Sequence, residues 1–213
     1  VAPTGRAGGP GQLEAGDLPG SERYAEVPRR LLLSAAASFA ANGFHGTTTR
    51  DIASGAGLSP AALYVHFPSK ELALHEVVRL GHEHAHTILT GPEIEALTGP
   101  GERLAEIVAR YTRFHARHHL VARVCQHDLR ELEPEHYAEV LRIRRATNEV
   151  FREVVASGVD SGVFRSDVDV RRTSRALISL AIDLVRWYRP DGPESPEQLG
   201  RFNAALALRI VGA

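Results

Sequence analysis

Apolar residues recur with a helical spacing from about residue 27 to the end of the chain. The i, i+3, i+4, i+7 pattern first appears at Leu32, Ala35, Ala36 and Phe39. It predicts a helix that ends at Asn42-Gly43, since a glycine commonly follows the last helical residue. No stretch alternates apolar and polar residues over the length of a strand. The predicted fold class is therefore all-α.

Capping residues and glycines predict where the other helices begin and end. Ser59 and Ser69 are good N-cap residues, and Pro60 occupies the favoured first helical position. The predicted helices cover about 49–56, from 60, from 70, 102–118, 120–130, 134–157, 169–188 and 195–211. The Gly- and Pro-containing loop over 90–101 is the clearest boundary between them.

Composition excludes several classes of protein. The 213 residues have a net charge of −1, so any nucleic-acid contact must depend on local charge. Cys125 is the single cysteine, which excludes a disulfide framework and a thiolate zinc cluster and favours a reducing cytosol. Residues 1–22 contain six glycines and three prolines without an apolar core, which predicts a disordered arm. The apolar run 176–185 is half of the ~20 residues that span a bilayer, so we expect a soluble, intracellular protein.

Two short helices joined by a turn at Gly57 predict a DNA-reading helix-turn-helix. The residues expected to fix the pair are Ile52, Ala53, Ala56, Leu58, Leu63 and Phe67. The residues expected to face DNA are Arg29, Thr49, Arg50, Ser59, Pro60, Ala61, Tyr64, His66 and Lys70. Residues 29–70 contain four positively charged side chains and one acidic residue, Asp51. Their local charge of +3 suits a phosphate backbone.

Each outward residue has a predicted role. Thr49 and Ser59 place hydroxyls beside helix N-termini, and Tyr64 and His66 are expected to donate to phosphate oxygens. Lys70, the only lysine of the chain, is expected to add a point charge at the start of the next helix. Pro60-Ala61-Ala62 offers no side-chain hydrogen bond to bases. Polar discrimination is therefore expected from Arg50 and the backbone.

The segment GFHGTTTRDIASGAGLSPAALYVHFPSKELAL, residues 43–74, resembles the DNA-binding segment of the tetracycline-repressor (TetR) family of bacterial regulators. The resemblance implies a three-helix DNA-binding domain followed by an all-helical domain that binds a ligand and dimerises. It therefore predicts an arm at 1–22, a helix-turn-helix domain at 23–68 and an effector domain at 69–213. The implied function is that of a repressor which binds a palindromic operator as a homodimer and is released by a small molecule.

Polar residues on otherwise apolar helix faces are the candidates for the effector site. They are Tyr111, His115, His118, Arg144, Asn148 and Asp183. Unpaired buried polar groups each cost roughly 1–3 kcal/mol, so these residues either pair within the core or at a subunit interface, or bind a ligand. The sequence leaves these alternatives open.

The last two helices are the candidates for the dimer interface, because the run 176–185 is apolar around its whole circumference. The family resemblance implies the same. The predicted contacts are Leu177, Leu184, Phe202, Leu206 and Ile210. Such a dimer would place its two recognition helices about 34–36 Å apart, one turn of DNA.

The effector is not fixed by the sequence. The segment VRWYRPDGP, residues 185–193, resembles a subset of these regulators tied to fatty-acid or steroid catabolism, which implies an acyl-coenzyme A effector. A nearby arginine cluster either contacts the phosphates of coenzyme A or is simply solvated; it consists of Arg171, Arg172 and Arg175. A regulator of efflux that binds lipophilic drugs is one alternative.

A metal sensor using His75, His82 and His86, with His115 or His118, is the other alternative. His82 and His86 have the i, i+4 spacing of a metal-binding pair, but no HExxH arrangement surrounds them. No GxSxG or GxxxxGK motif is present, and we expect neither an enzyme nor a cofactor.

Overall fold

The computed structural model describes residues 17–213, and no strand occurs within them. The helices are α1 (Glu26–Gly46), α2 (Thr49–Gly55), α3 (Pro60–His66), α4 (Lys70–Thr87), α5 (Pro92–Glu95), α6 (Pro100–Arg117), α7 (His119–His127), α8 (Pro134–Asp160), α9 (Val170–Ile182), α10 (Leu184–Trp187) and α11 (Pro196–Val211). The all-α prediction is confirmed.

Local signals place the ends of the first four helices as expected. Gly43, with φ of 70°, interrupts α1 at the predicted break, and Gly57, with φ of 67°, makes the turn between α2 and α3. Thr48 caps α2 by accepting from the Asp51 amide, while the Asp51 carboxylate accepts from the Thr48 amide. The Ser69 hydroxyl caps α4.

The core beneath α1–α3 continues without a break into the rest of the protein. Its buried side chains include Phe39, Ile52 and Leu63 together with Val78 of α4 and Val124 of α7. The boundary predicted at residue 68 therefore falls inside one packed cluster. Because a close-packed core transmits strain, a displacement of α4 or α7 is expected to reach α1–α3.

The predicted arm needs a correction at its end. Residues 1–16 lie outside the described residues. Leu18, by contrast, is fully buried in the same cluster as α1, and Ser21 begins a short 3₁₀ turn, so the expectation of disorder is wrong for residues 17–22. The disorder was predicted from glycine and proline content. Composition does not reveal that the single side chain of Leu18 packs into the core.

Gly81 lies where α4 and α7 approach closely. A Cβ at Gly81 would lie 2.8 Å from Cys125 Sγ and 3.0 Å from Val121 Cγ1, so the glycine permits this approach.

A second core lies between α6, α8, α9 and α11 and contains Tyr111 and Phe151.

The helix predicted over 169–188 is in fact two helices. It breaks at Asp183, which ends α9 and precedes α10, and Leu184 then turns inward against Ala116 and Leu199. The short helix α5 also interrupts the predicted loop 90–101. Among the described residues, no helix is both long and apolar enough to cross a bilayer.

Candidate functional site

The helix pair α2–α3 is held firmly against α1. The Arg30 guanidinium donates to the carbonyl of Ala56, and Ser34 Oγ donates to the carbonyl of Ile52 at 2.7 Å. A Cβ at Gly55 would lie 2.3 Å from Ser34 Oγ, so a glycine is required at this approach. These contacts fix α2 at the turn that leads to α3.

The outer side of α3 is exposed. Tyr64 and Val65 are 53% and 77% exposed, whereas the neighbouring Leu63 is fully buried. The other exposed residues expected to face DNA are Arg50, Ser59, Pro60, Ala61 and His66, while Arg29 is half-buried. Val65 was missed by the sequence analysis, although its position beside Tyr64 and between the buried Leu63 and Phe67 was a usable signal.

Hydroxyl contacts differ in part from those expected. Thr48, not Thr49, caps α2, and Thr49 Oγ1 lies 3.2 Å from the Tyr64 hydroxyl as a hydrogen-bond partner. This contact joins the start of α2 to α3 and fixes the phenol of Tyr64. The Ser59 side chain makes no capping hydrogen bond to α3.

Lys70, predicted to add a point charge at the start of α4, also has partners within the chain. Its ammonium donates to the carbonyls of Phe44 and Thr47, each at 2.7 Å, and lies 4.1 Å from the centre of the Phe44 ring. The Phe44 amide in turn donates to Asp128 Oδ1 at 3.2 Å. Lys70 therefore fastens the end of α1 to α4, because two of its three protons already have backbone acceptors.

The interior of the effector end brings together three of the six predicted effector residues. Tyr111 and His115 stack edge-on with ring centres 4.4 Å apart, and His115 Nδ1 donates to the Tyr111 carbonyl at 2.9 Å. The charge of Arg144 acts on both of them and on His82 of α4. His82, one of the residues of the metal alternative, therefore belongs to this group.

This interior group is electrically unusual. Burial, reinforced by the Arg144 charge, lowers the pKa of His82 to about 3 and that of His115 to about 4. Burial also raises the pKa of Tyr111 to about 12. Among the described residues Arg144 forms no ion pair, and its one hydrogen bond, to Gln126 Oε1, is 3.5 Å long. A half-buried guanidinium thus acts electrostatically on two imidazoles that burial keeps neutral.

Some of these polar atoms lack partners. His82 Nε2 and His86 Nδ1 are buried and make no hydrogen bond within the described residues. Since a buried polar atom without a partner is costly, the arrangement is suited to a ligand that supplies hydrogen bonds.

The other three predicted effector residues lie elsewhere. Asn148 and Asp183 are exposed, and Asp183 faces Arg186 at 3.7 Å. His118 packs against Phe114 and lies 3.3 Å from the carbonyl of Asp17. Asn148 and Asp183 are not part of the group around Arg144, whereas His118 borders it and acts electrostatically on His115.

Two family models match the chain. The tetracyclin repressor-like C-terminal domain matches residues 98–211, and the bacterial regulatory proteins of the tetR family match residues 31–77. The first match alone covers more than half of the sequence. The chain belongs to the TetR family. Regulators of this family bind operator DNA as dimers and respond to small-molecule effectors, and they are not enzymes.

Individual TetR-family proteins are similar over most of their length. The HTH-type transcriptional repressor KstR2 of Mycobacterium tuberculosis is 32% identical over 179 residues, 84% of this chain and 89% of the relative. The solved structure of that ketosteroid transcriptional regulator has a TM-score of 0.78 at 31% identity and covers 85% of this chain and 93% of its own.

Two further TetR-family structures share the fold. A bacterial regulatory protein from Rhodococcus RHA1 has a TM-score of 0.80 at 34% identity, covering 88% of this chain and 98% of its own. AibR, solved in complex with isovaleryl coenzyme A and operator DNA, has a TM-score of 0.76 and covers 84% of this chain and 97% of its own. At 21% identity, AibR shows the likeness of the fold alone.

The dimer contacts expected of a TetR-family protein need revision. Leu177 and Leu184 are each 1% exposed within the single chain, so neither offers surface to a partner and both predictions are wrong. Phe202 is 62% exposed, while Leu206 and Ile210 are half-buried. A groove between α9 and α11 is lined by Ala176, Leu180, Trp187, Phe202 and Leu206.

The three histidines of the metal alternative do not come together. His75 stacks on His136, whereas His82 lies near Arg144 and His115. The one group of metal-ligating side chains found among the described residues is instead Glu71, Glu133 and His136.

Proposed function

We propose that the chain is a cytoplasmic repressor that binds a palindromic operator as a homodimer and leaves it when a small molecule binds. The observation that carries the proposal is the surface of α3. Tyr64 and Val65 project from a helix whose neighbouring Leu63 is locked in the core, and Thr49 fixes the Tyr64 hydroxyl from α2. A rigid helix with an exposed outer face is what major-groove reading requires.

The chemistry of this surface favours a mixed mode of reading. Arg50 is suited to a guanine edge, and the methyl groups of Ala61 and Val65 are suited to thymine methyls. Tyr64 and His66 are positioned for phosphate oxygens. Because α3 carries few polar side chains, much of the sequence preference should come from apolar contacts and DNA shape.

The groove between α9 and α11 supports dimerisation. Trp187 is 50% and Phe202 62% exposed, and large exposed apolar side chains in one groove indicate an interface. We therefore place the dimer contact at Leu180, Trp187, Phe202, Leu206 and Ile210. A two-fold axis through this face would present two copies of α3 to two half-sites.

The group around Arg144 supports an effector with both polar and apolar parts. Its guanidinium and the unpaired His82 Nε2 suit a carbonyl or an anionic oxygen, and Tyr111 and Phe151 provide an apolar wall. An acyl-coenzyme A thioester has this combination. The likeness to KstR2, called a ketosteroid transcriptional regulator, agrees with the steroid-linked subset that residues 185–193 resemble.

The path from effector to DNA runs along α4. His82 lies on the same helix as Lys70, whose ammonium holds the end of α1. An effector that binds His82 would displace α4. Because α4 shares a continuous core with α3, the displacement would reach α3 as well. DNA-competent and incompetent states would then differ in the spacing of the two reading helices.

The test begins with selection of a duplex from a random pool by the purified protein. The fluorescence anisotropy of the selected duplex bound to the protein is then followed. Acyl-coenzyme A thioesters of several chain lengths, the matching free acids and coenzyme A alone are added in separate titrations. We expect release by a thioester only. Arg144→Met should raise the thioester concentration needed about tenfold or more, leaving DNA affinity unchanged, while Arg142→Met on the exposed side of α8 should behave as wild type.

The outcomes separate the parts of the proposal. Failure to enrich any duplex at low salt would overturn the repressor. Release by lipophiles and by no thioester would overturn the effector class. A response of Arg144→Met equal to that of wild type would remove Arg144 from the effector site.

A further inference from the structure

The first turns of α4 and α8 carry a cluster of metal-ligating side chains that the proposed function does not use. The cluster consists of Glu71, His75, Glu133, His136 and Glu139. Glu71 and His75 are four residues apart, and the other three follow at intervals of three. Side chains at these intervals lie on one side of a helix, so the two helices turn these residues toward each other.

Glu71 is the centre of the cluster. It is only 8% exposed, and its Oε1 and Oε2 lie 2.8 and 3.0 Å from His136 Nδ1. One ligand atom each of Glu71, Glu133 and His136 lie within 4.8 Å of one another. Two carboxylates and an imidazole nitrogen at this separation can reach one ion without a change of backbone.

His75 packs against the cluster. Its side chain is 7% exposed, and its Nε2 lies 3.2 Å from Glu139 Oε2. Its ring lies face to face with that of His136, with centres 3.9 Å apart and planes 9° apart. The stacking fixes the plane of the His136 ring and thus the direction in which its Nδ1 points toward Glu71.

We propose that Glu71, Glu133 and His136 bind a divalent transition-metal ion of the zinc type. Imidazole and carboxylate are both ordinary zinc ligands, and three protein ligands leave the fourth position of the tetrahedron to a water molecule. Thiolates are not needed, which fits a chain whose one cysteine is buried elsewhere. Magnesium is disfavoured because it prefers oxygen ligands throughout.

The position gives the ion a structural consequence. Glu71 follows Lys70, which holds the end of α1, and Glu133 and His136 begin the helix that carries Arg144. A bound ion would join the first turn of α4 to the first turn of α8. It would thus brace the reading end against the effector helix, independently of the effector itself.

The test uses the untagged full chain, freed of metal with a chelator and titrated with zinc in a calorimeter. We expect one zinc per chain, and a loss of affinity of about tenfold or more in Glu133→Gln and in His136→Gln. His127→Gln is the matched control, because His127 is exposed and outside the cluster, and it should bind as wild type does. Glu133 is also exposed, so its variant is expected to fold and decides the matter if His136→Gln does not.

Cobalt provides a readout that a merely structural histidine would not give. Cobalt in the wild-type protein should show visible absorption bands of imidazole and carboxylate coordination, and Glu133→Gln should change them. Equal zinc affinity in wild type, Glu133→Gln and His136→Gln would overturn the site. So would binding that never saturates, or cobalt bands identical in all variants. None of these readouts needs DNA or the effector, so the outcome is separate from that of the repressor.

Discussion

Polar groups are partnered differently in two regions: the reading end, formed by α1–α3 and Lys70, and the effector interior around His82, Tyr111, His115 and Arg144. Around α2 and α3, several polar groups have partners: Thr48 and Asp51 cap one another, and the Lys70 ammonium has two carbonyl acceptors. In the interior, His82 Nε2 lacks a hydrogen bond and Arg144 lacks an ion pair within the described residues. The first region satisfies these groups within the chain, whereas the second keeps buried groups without partners, as the proposed effector site requires.

The difference has an energetic meaning. Each satisfied hydrogen bond at the reading end adds about 0.5–1.5 kcal/mol, whereas each unpaired buried group in the interior costs about 1–3 kcal/mol. A ligand that supplies the missing bonds recovers part of that cost only in the state it fits. The proposed function thus combines a preformed DNA-facing surface with a ligand-responsive interior in one continuous fold.

The sharpest test of a preformed reading surface is the neighbouring pair Leu63 and Tyr64. Leu63→Ala should lower the free energy of unfolding by about 2–5 kcal/mol, because the side chain is fully buried, and should abolish operator binding. Tyr64→Ala should change stability by about 0.5 kcal/mol or less and still weaken DNA binding. Urea unfolding and anisotropy measure the two effects. Equal stability losses in both variants would contradict the division into inner and outer faces.

Lys70 comes next in expected size. Lys70→Met keeps an apolar stem over the Phe44 ring but removes both donors, which should cost about 1–3 kcal/mol, and each kcal/mol should lower Tm by about 2–4 °C. Arg50→Met, at an exposed position, is the control and should leave Tm unchanged. A role confined to phosphate would instead reduce the salt dependence of DNA binding by about one ion with no change of Tm.

Acid should weaken the interior by a smaller amount. Burial lowers the pKa of His82 to about 3 and that of His115 to about 4 from an ordinary 6.5, so the unfolded chain takes up protons that the folded chain refuses. Stability should therefore fall as pH drops from about 6.5 toward 4, by about 1 kcal/mol per histidine between pH 7 and 5.5. Urea unfolding at the two pH values measures it. His115→Gln should remove about half of the contribution of this pair, and an unchanged pH dependence would contradict the assignment.

The reading end was largely predictable because its signals are local. Gly43, Gly57 and Ser69 mark the helix ends within a few residues of the chain. The intramolecular contacts of Lys70 were not predictable, because its acceptors are backbone carbonyls 23 and 26 residues earlier, which no side-chain pattern shows.

The effector end was predictable only in part. The i+4 spacing of Tyr111 and His115 correctly gave a shared face, but the same argument failed for Asn148, which is exposed while Thr147 beside it is buried. Leu177 and Leu184 were misassigned because hydrophobicity alone does not tell a chain's own core from a partner. Glu71 and His136 meet from positions 65 residues apart, beyond the reach of local spacing.

The 18 residues of α4 also have a mechanical consequence. At 1.5 Å per residue the helix is a stiff rod about 27 Å long, so a tilt of about 10° at one end displaces the other by about 5 Å. In a two-fold dimer the two displacements add to about 10 Å, a large fraction of the 34–36 Å between successive turns of the major groove. A small tilt at the end of α4 beyond His82 is thus amplified at the DNA-facing end, and in the proposed dimer both half-sites would lose register together.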